Sequence, residues 1–375
     1  MSELDRIVNV RIAKETATIS QKSFGVPLIV FQGDSNFPAA WGVKLPEHSV
    51  KTFFSLKEIS EAFEDDGNIK VADMDFYKAA QAVFAQNPKV LKLQLGRLSD
   101  DSDDYASVKS DLDAIAIAEG DFYFVLPAME IDEDEAGIDS SENKQKWMAF
   151  ADFAEEEERF LFVQPATNDN IFNNDSGTPE NSLAYIWRGF TKTAVCAKSA
   201  GFQFPSAWVG EGAPFDPGSS TWAYKRPAGV NPIKTTGSDL AANKDNNWFN
   251  VYHTVYGQNI TEPGKTVSGE WIDVEIGIDW LKVRLQEAIF GDLVRQRKIP
   301  YDDVGIQIIR GTIAKILDLA AQRGILQGDS IVISTPRFED IPKNDVGARH
   351  LPDIKFTTTV LNAIHTTTID GTVTL

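Results

Sequence analysis

Apolar residues recur along the chain with two different periods, and the switch between them marks out the elements. The run Leu28-Ile29-Val30-Phe31 predicts a short buried strand. Ser55-Leu56-Lys57-Glu58 is a capping box with Phe54 and Ile59 at the hydrophobic-staple positions, so a helix starts there and buries Ile59, Ala62 and Phe63. A second helix is expected over 75–86, with Phe76, Ala79, Ala80, Val83 and Phe84 on its inner side and Pro88 ending it. From residue 90 the pattern alternates regularly. Strands are expected at 90–95, 122–126, 160–163 and 193–197, with helices at 107–119, 143–157 and 182–187 between them. That alternation predicts a small, mostly parallel α/β sheet. Trp147, Phe150, Ala151 and Ala154 repeat at helical spacing and read as core. Residues 201–263 are rich in Gly, Pro, Asn and Trp, an irregular region with one short helix.

The last third changes character. Residues 268–276 alternate as a strand, and Asp279 is expected to cap a long helix striped by Leu281, Leu285, Ala288, Ile289 and Leu293. A further helix, entered through Asp302 or Asp303, carries Ile306, Ile309, Ile313, Leu317 and Ala320 on one face and stops at Gly324. Residues 331–334 read as a strand and 338–351 as loop. The stretch 354–375, IKFTTTVLNAIHTTTIDGTVTL, is rich in strand formers, including eight Thr. Ile369, Gly371, Val373 and Leu375 lie in one period-two phase and Ile364, Thr366 and Thr368 in another, with Asp370-Gly371 as a bend between them. At the other end, Ile7, Val8, Val10 and Ile12 make a second strand-like arm. Each arm must pair inside its own domain or on a neighbour's edge.

Composition narrows the possibilities. At 375 residues with 42% hydrophobic content, the chain can bury the cores of two or three domains. A formal charge of -19 argues against nucleic acid and against an anionic membrane surface. The acidic runs at 100–104, 132–135 and 155–158 read as solvated faces. The single cysteine, Cys196, excludes an internal disulfide and a thiolate metal cluster, and its apolar neighbours predict a buried, inert thiol. The first residues lack an apolar signal core, so the chain is expected to be made and kept in a cytoplasm, or in something assembled there.

No arrangement of residues supports catalysis. Gly264-Lys265-Thr266 ends like a phosphate loop, but Asn259 stands where the first glycine must be. Gly210-Glu211-Gly212 lacks the third glycine of a dinucleotide site, because position 215 is Phe. His48, His253, His350 and His365 show no metal-ligand pairing, and His365, among threonines, reads as structural. The 168–177 stretch is an Asn/Asp turn cluster without calcium-loop spacing. No catalytic, cofactor-binding or metal-ligating residue is therefore assigned.

A set of structural motifs remains. Ile7-Val8-Asn9-Val10 is followed by Phe24-Gly25-Val26-Pro27-Leu28-Ile29, and Trp222 by Gly229-Val230-Asn231-Pro232-Ile233. Further on stand Gly269-Glu270-Trp271-Ile272-Asp273, Gly277-Ile278-Asp279-Trp280-Leu281, Ile299-Pro300-Tyr301, Ala363-Ile364-His365 and Ile369-Asp370-Gly371. On these, nearly end to end, the chain resembles the tail sheath proteins of contractile-tailed bacteriophages, a family first catalogued as a phage protein of unknown function. The resemblance implies a mixed α/β and α+β multi-domain fold. An inner core domain is built from both chain ends, 1–22 and 265–353, around an outer α/β domain at 23–264, with a C-terminal β arm at 354–375. It implies a non-enzymatic structural subunit, without cofactors, that stacks as hexameric rings around a tail tube. The rings are linked by strand exchange through Ile7, Val8, Val10, Ile12, Ile364, Thr366, Thr368, Ile369, Val373 and Leu375, and contract to drive the tube through the host envelope. Implied partners are further copies of the chain, the tail tube protein, and baseplate and tail terminator proteins, in a virion tail assembled in the host bacterial cytoplasm. It also implies a tube-facing helix at 304–323, with Arg310, Lys315 and Arg323 as contacts and Arg295, Arg297 and Lys298 as second choice. Many such proteins carry large outer insertions, for which this chain has little room. The rival readings are an α/β enzyme with a pocket in 201–263 and another structural phage protein, such as a tube or capsid subunit.

Overall fold

The protein is described by a computed structural model covering residues 21–33, 37–65, 67, 69–118, 120–137, 144–168, 182–201, 203–240 and 249–371. Ile7, Val8, Val10, Ile12, Val373 and Leu375 lie outside the described residues. The strands are β1 (Pro27–Gln32), β2 (Val50–Phe53), β3 (Leu93–Leu98), β4 (Phe124–Pro127), β5 (Phe160–Val163), β6 (Thr193–Cys196), β7 (Phe249–Val255), β8 (Gln258–Glu262), β9 (Val332–Ser334) and β10 (Lys355–Thr357). The helices used below are α1 (Ala39–Lys44), α2 (Leu56–Ala62), α3 (Asp75–Phe84), α4 (Tyr105–Ala118), α5 (Met148–Glu156), α6 (Leu183–Ile186), α7 (Phe204–Gly212), α8 (Ile272–Arg295), α9 (Asp303–Gln322) and α10 (Lys343–Ala348).

Eight strands form one sheet in the order β2-β3-β1-β4-β5-β6-β7-β8. Pairing is parallel from β3 through β1 and on to β7, while β2 and β8 run antiparallel at the two edges. Alternate residues serve opposite faces: Leu28 and Val30 join the cluster under α4 and α5, while Ile29 and Phe31 join the cluster with α3 and α7. Both faces are covered, which is why the central strands read as unbroken apolar runs. Local signals place the early helices. The Ser55 hydroxyl accepts from Glu58 N at 3.3 Å and the Glu58 carboxylate accepts from Phe54 N at 2.9 Å, completing the capping box.

Four expectations change. The region expected to be irregular supplies the β7–β8 hairpin as well as α7, so the sheet is larger than the pattern suggested. The strand at 268–276 and the helix start at Asp279 are replaced by one helix, α8, that begins at Ile272 and places Asp279 in its interior. Ile272, Ile276 and Trp280 fit a helical stripe as well as alternate strand positions, and Asp273 and Glu275 suit the positive end of a helix. The tail forms a strand only at β10, which pairs antiparallel with β9; beyond it the bridge Leu326↔Val360 is the last backbone pairing. Ile364, Thr366, Thr368 and Ile369 are exposed and outside any strand, because a strand exists only where a second edge supplies its hydrogen bonds. The loop expected at 338–351 also contains the short α10.

The apolar cluster on one sheet face runs without a break into the last third. It includes Phe124, Phe162 and Trp208 together with Ile276 and Trp280 of α8 and Ile309, Ile313 and Leu317 of α9. Contact is close where the two regions meet. Gly218, at φ +78°, lies so near Ile325 that an added Cβ would fall 2.2 Å from its side chain.

Candidate assembly interface

The N-terminal half of α8 is locked to the sheet by charge. Lys192, immediately before β6, places its ammonium 2.8 Å from Glu275 and 2.8 Å from Asp279, and the Tyr123 hydroxyl donates to the other Asp279 oxygen at 2.7 Å. Burial pulls the Lys192 ammonium towards its neutral form, but Asp279 and Glu275 outweigh that, and its pKa stands above the ordinary value. Burial, reinforced by Asp279, pushes the Tyr123 phenol well up, so it remains a donor. Sequence reasoning missed this joint. The available signal was two carboxylates four residues apart on the stripe that carries Ile272 and Ile276.

The C-terminal half of α8 is much less covered. Phe290, Leu293 and Val294 are 57%, 57% and 59% exposed. Between α8 and α9 runs an open groove of about 480 Å³, lined by Leu285, Ile289 and Leu293 on one side, Ile306, Ile309 and Ile313 on the other, and Ile354 and Phe356 at its β10 wall. The β9–β10 sheet has two strands, so among the described residues neither outer edge is paired to a third. An apolar groove beside an open strand edge is suited to an extended segment that adds to the edge and turns alternate side chains into the groove.

The positively charged candidates divide. Arg323 lies 2.8 Å from Asp216 and 5.0 Å from the centre of the Trp280 ring, so it ties the end of α9 to the loop after α7 and to α8. Arg310 is half-buried and Lys315 exposed, and neither forms an ion pair among the described residues. Five residues apart, they sit roughly 140° round the helix from each other rather than on one face. Of the second choices, Arg295 pairs with Asp292 at 3.0 Å within its own helix.

The elements that suggested small-molecule chemistry have structural occupations. The amides of Gly264 and Lys265 both donate to the Asn250 side-chain oxygen at 3.0 Å. At the switch point beside β1, the Gln32 amide donates to the carbonyls of Ser99 and Ser102, each at 2.9 Å, tying down the loop after β3. Cys196 is fully buried, and burial pushes its thiol well up. Among the described residues no group of three His, Cys, Asp or Glu could hold a metal ion, and no helix is long and apolar enough to cross a membrane.

Three solved structures share this architecture. A chain of the cryo-EM structure of the anti-feeding prophage baseplate, six-fold symmetrised, matches over 98% of this chain and 99% of its own, at 13% identity and a TM-score of 0.67. The sheath complex of the extracellular contractile injection system PVC, in its contracted state, matches over 97% and 96%, at 12% identity and a TM-score of 0.69. The sheath tail protein Lin1278 from Listeria innocua matches over 92% and 97%, at 8% identity and a TM-score of 0.52. By sequence, no family model and no curated protein matches. Over nearly its full length, this chain has the fold of sheath proteins of contractile systems.

Proposed function

We propose that this chain is the sheath subunit of a contractile tail or tail-like injection machine. Copies stack as hexameric rings around a tail tube, and the sheath contracts to drive the tube through a target envelope. The observation that carries the reading is the fold match to a contracted sheath complex and to a sheath tail protein, over 97% and 92% of this chain and 96% and 97% of theirs. The open β9–β10 edge, the uncovered groove, and the exposed Ile364 and Ile369, which lie outside any strand among the described residues, are independent support. In this reading the 1–22 and 354–375 arms link neighbours through Ile7, Val8, Val10 and Ile12 and through Ile364, Thr366, Thr368, Ile369, Val373 and Leu375. Backbone pairing tolerates sliding and rotation, so contraction rearranges subunit contacts without opening the mesh. The energy lies in the difference between two packings of the lattice, and no nucleotide is required.

The inner domain, 265–353 with the amino arm, faces the tube, and the 23–264 domain faces outward. Arg310 and Lys315 of α9 are the proposed tube contacts, with Arg323 reserved for the joint to Asp216. The remaining partners are the tail tube, baseplate and terminator proteins, and the site of action is a virion tail or an equivalent particle put together in the producing bacterium's cytoplasm. The fold neighbours are structural proteins, which favours a non-enzymatic role. Negative-stain microscopy of the purified protein tests the reading. A sheath subunit forms wide, striated, hollow cylinders, whereas a protein that stays monomeric at high concentration, or forms thin tubes or closed shells, sinks it.

A further inference from the structure

Between residues 362 and 371, His365 alone is held by the rest of the described chain. Its Nε2 shares a 2.9 Å hydrogen bond with the Thr221 hydroxyl, and its carbonyl accepts from the Tyr224 hydroxyl at 2.8 Å. Its ring stands edge-on to Trp271, 4.5 Å between centroids at 90°, at the start of α8. On either side the chain is bare: Ile364 is 89% and Ile369 86% exposed. The cleft that receives it shows strain. Tyr224 sits at φ +60°, a left-handed conformation that costs a bulky residue roughly 1–2 kcal/mol. The 2.7 Å bond from its amide to the Thr261 carbonyl keeps it there, with its hydroxyl on the tail. A strained aromatic whose polar tip meets one backbone atom of an otherwise unheld segment points to a purpose for that contact.

The sequence beyond the cleft supplies the purpose. Thr366-Thr367-Thr368 repeats one side chain, so sliding a paired strand by a residue there sets Thr against the same neighbours and is weakly opposed locally. The same slip turns Ile369 from one face of the strand to the other. Within the Thr run, register is fixed from its two sides, by the face Ile369 takes and by where the strand begins. We propose that the Thr221/Tyr224/Trp271 cleft is a docking site for His365 of the same chain, anchoring the origin, and hence the register, of the strand that residues 366–375 add to a second copy. The proposal rests on the sheath reading and assigns a body-side site that this reading does not contain. With the anchor closed, residues 366–375 span at most about 36 Å. If it opens, the tail is next held at Leu361, whose N–H donates to the Ile325 carbonyl at 3.0 Å. The reach then grows by up to about 14 Å, and the origin of the strand is no longer fixed.

The test uses the full chain with a nitroxide on Thr367→Cys, the native Cys196 being buried and unlabelled. In the otherwise unchanged protein the spectrum has a slow, immobilised component, which His365→Ala and Tyr224→Phe each abolish. His365→Gln, which can keep a bond to Thr221, restores part of it. In unlabelled protein, both H365A and Y224F lower the yield of regular cylinders severalfold while monomer thermal stability stays unchanged. Y224F is decisive because it leaves the sequence of the arm intact. A label equally mobile in all variants overturns the anchor. So does normal assembly of both variants, or a defect in H365A alone, which would place His365 in the partner's sheet. If the parent protein forms no cylinders, the sheath reading fails while the nitroxide comparison still decides whether the cleft holds the tail.

Discussion

Lys192 has the most to lose from a single change. It is 9% exposed and faces two carboxylates, so Lys192→Met leaves Glu275 and Asp279 buried without a counter-charge, a loss of about 3–5 kcal/mol. Denaturant unfolding, following Trp fluorescence, measures it. The same joint sets a pH dependence. The pKa values of Lys192 and Tyr123 are raised above their ordinary values of 10.5 and 10.0, so the folded state keeps protons that the unfolded chain releases at high pH. Their contribution is complete below pH 10 and is lost as the pH rises through the folded-state values. The unfolding midpoint is therefore expected to hold steady to about pH 10 and fall above it, with a shallower fall in Tyr123→Phe.

At the level of elements, α8 does two jobs with its two halves. Its first turns bury Ile272, Ile276 and Trp280 against the sheet, and its last turns hold Leu293 and Val294 over half exposed beside the groove. Leu293→Arg is thus a surface change for the free subunit, worth within about 0.5 kcal/mol, yet on the proposed reading it places a charge where a partner strand buries apolar side chains. The expected result is an unchanged melting temperature with loss of cylinders in the microscope. The elements with local punctuation were legible: α2 from its capping box, and α9 from Asp302, whose carboxylate accepts from Gly305 N at 2.9 Å, to Gly324 at φ +80°. α8 was misread because Trp271 offers no side-chain cap and its apolar spacing serves a strand and a helix alike. The β7–β8 hairpin was hidden by its turn, where Tyr256, at φ +47°, stands in a position normally marked by Asn or Asp.

In the whole molecule the apolar cluster continues from the sheet into the α8–α9 pair, so the two share one core. Residues 368–371 contribute nothing to that core. Removing 368–375 is expected to leave a cooperative, folded monomer that forms no cylinders. Circular dichroism and negative-stain microscopy on the same sample read both halves of that outcome, and cylinders of normal length from the truncated chain would remove the arm from the assembly.

What the sequence determined by itself was whatever a short window contains. That includes helix caps, buried parallel strands and the strand-forming composition of 354–375. The tertiary structure alone decided the rest. The Lys192–Asp279 pair spans 87 positions and the Tyr224–His365 bond 141, distances at which a composition or period carries no information about a partner. Burial decided that Asp279 would be a counter-ion instead of a helix cap. The path of the tail decided that His365, one residue among threonines, would be its point of attachment. Energy at these places depends on which groups meet after the chain closes, and a linear pattern specifies only that each must meet something.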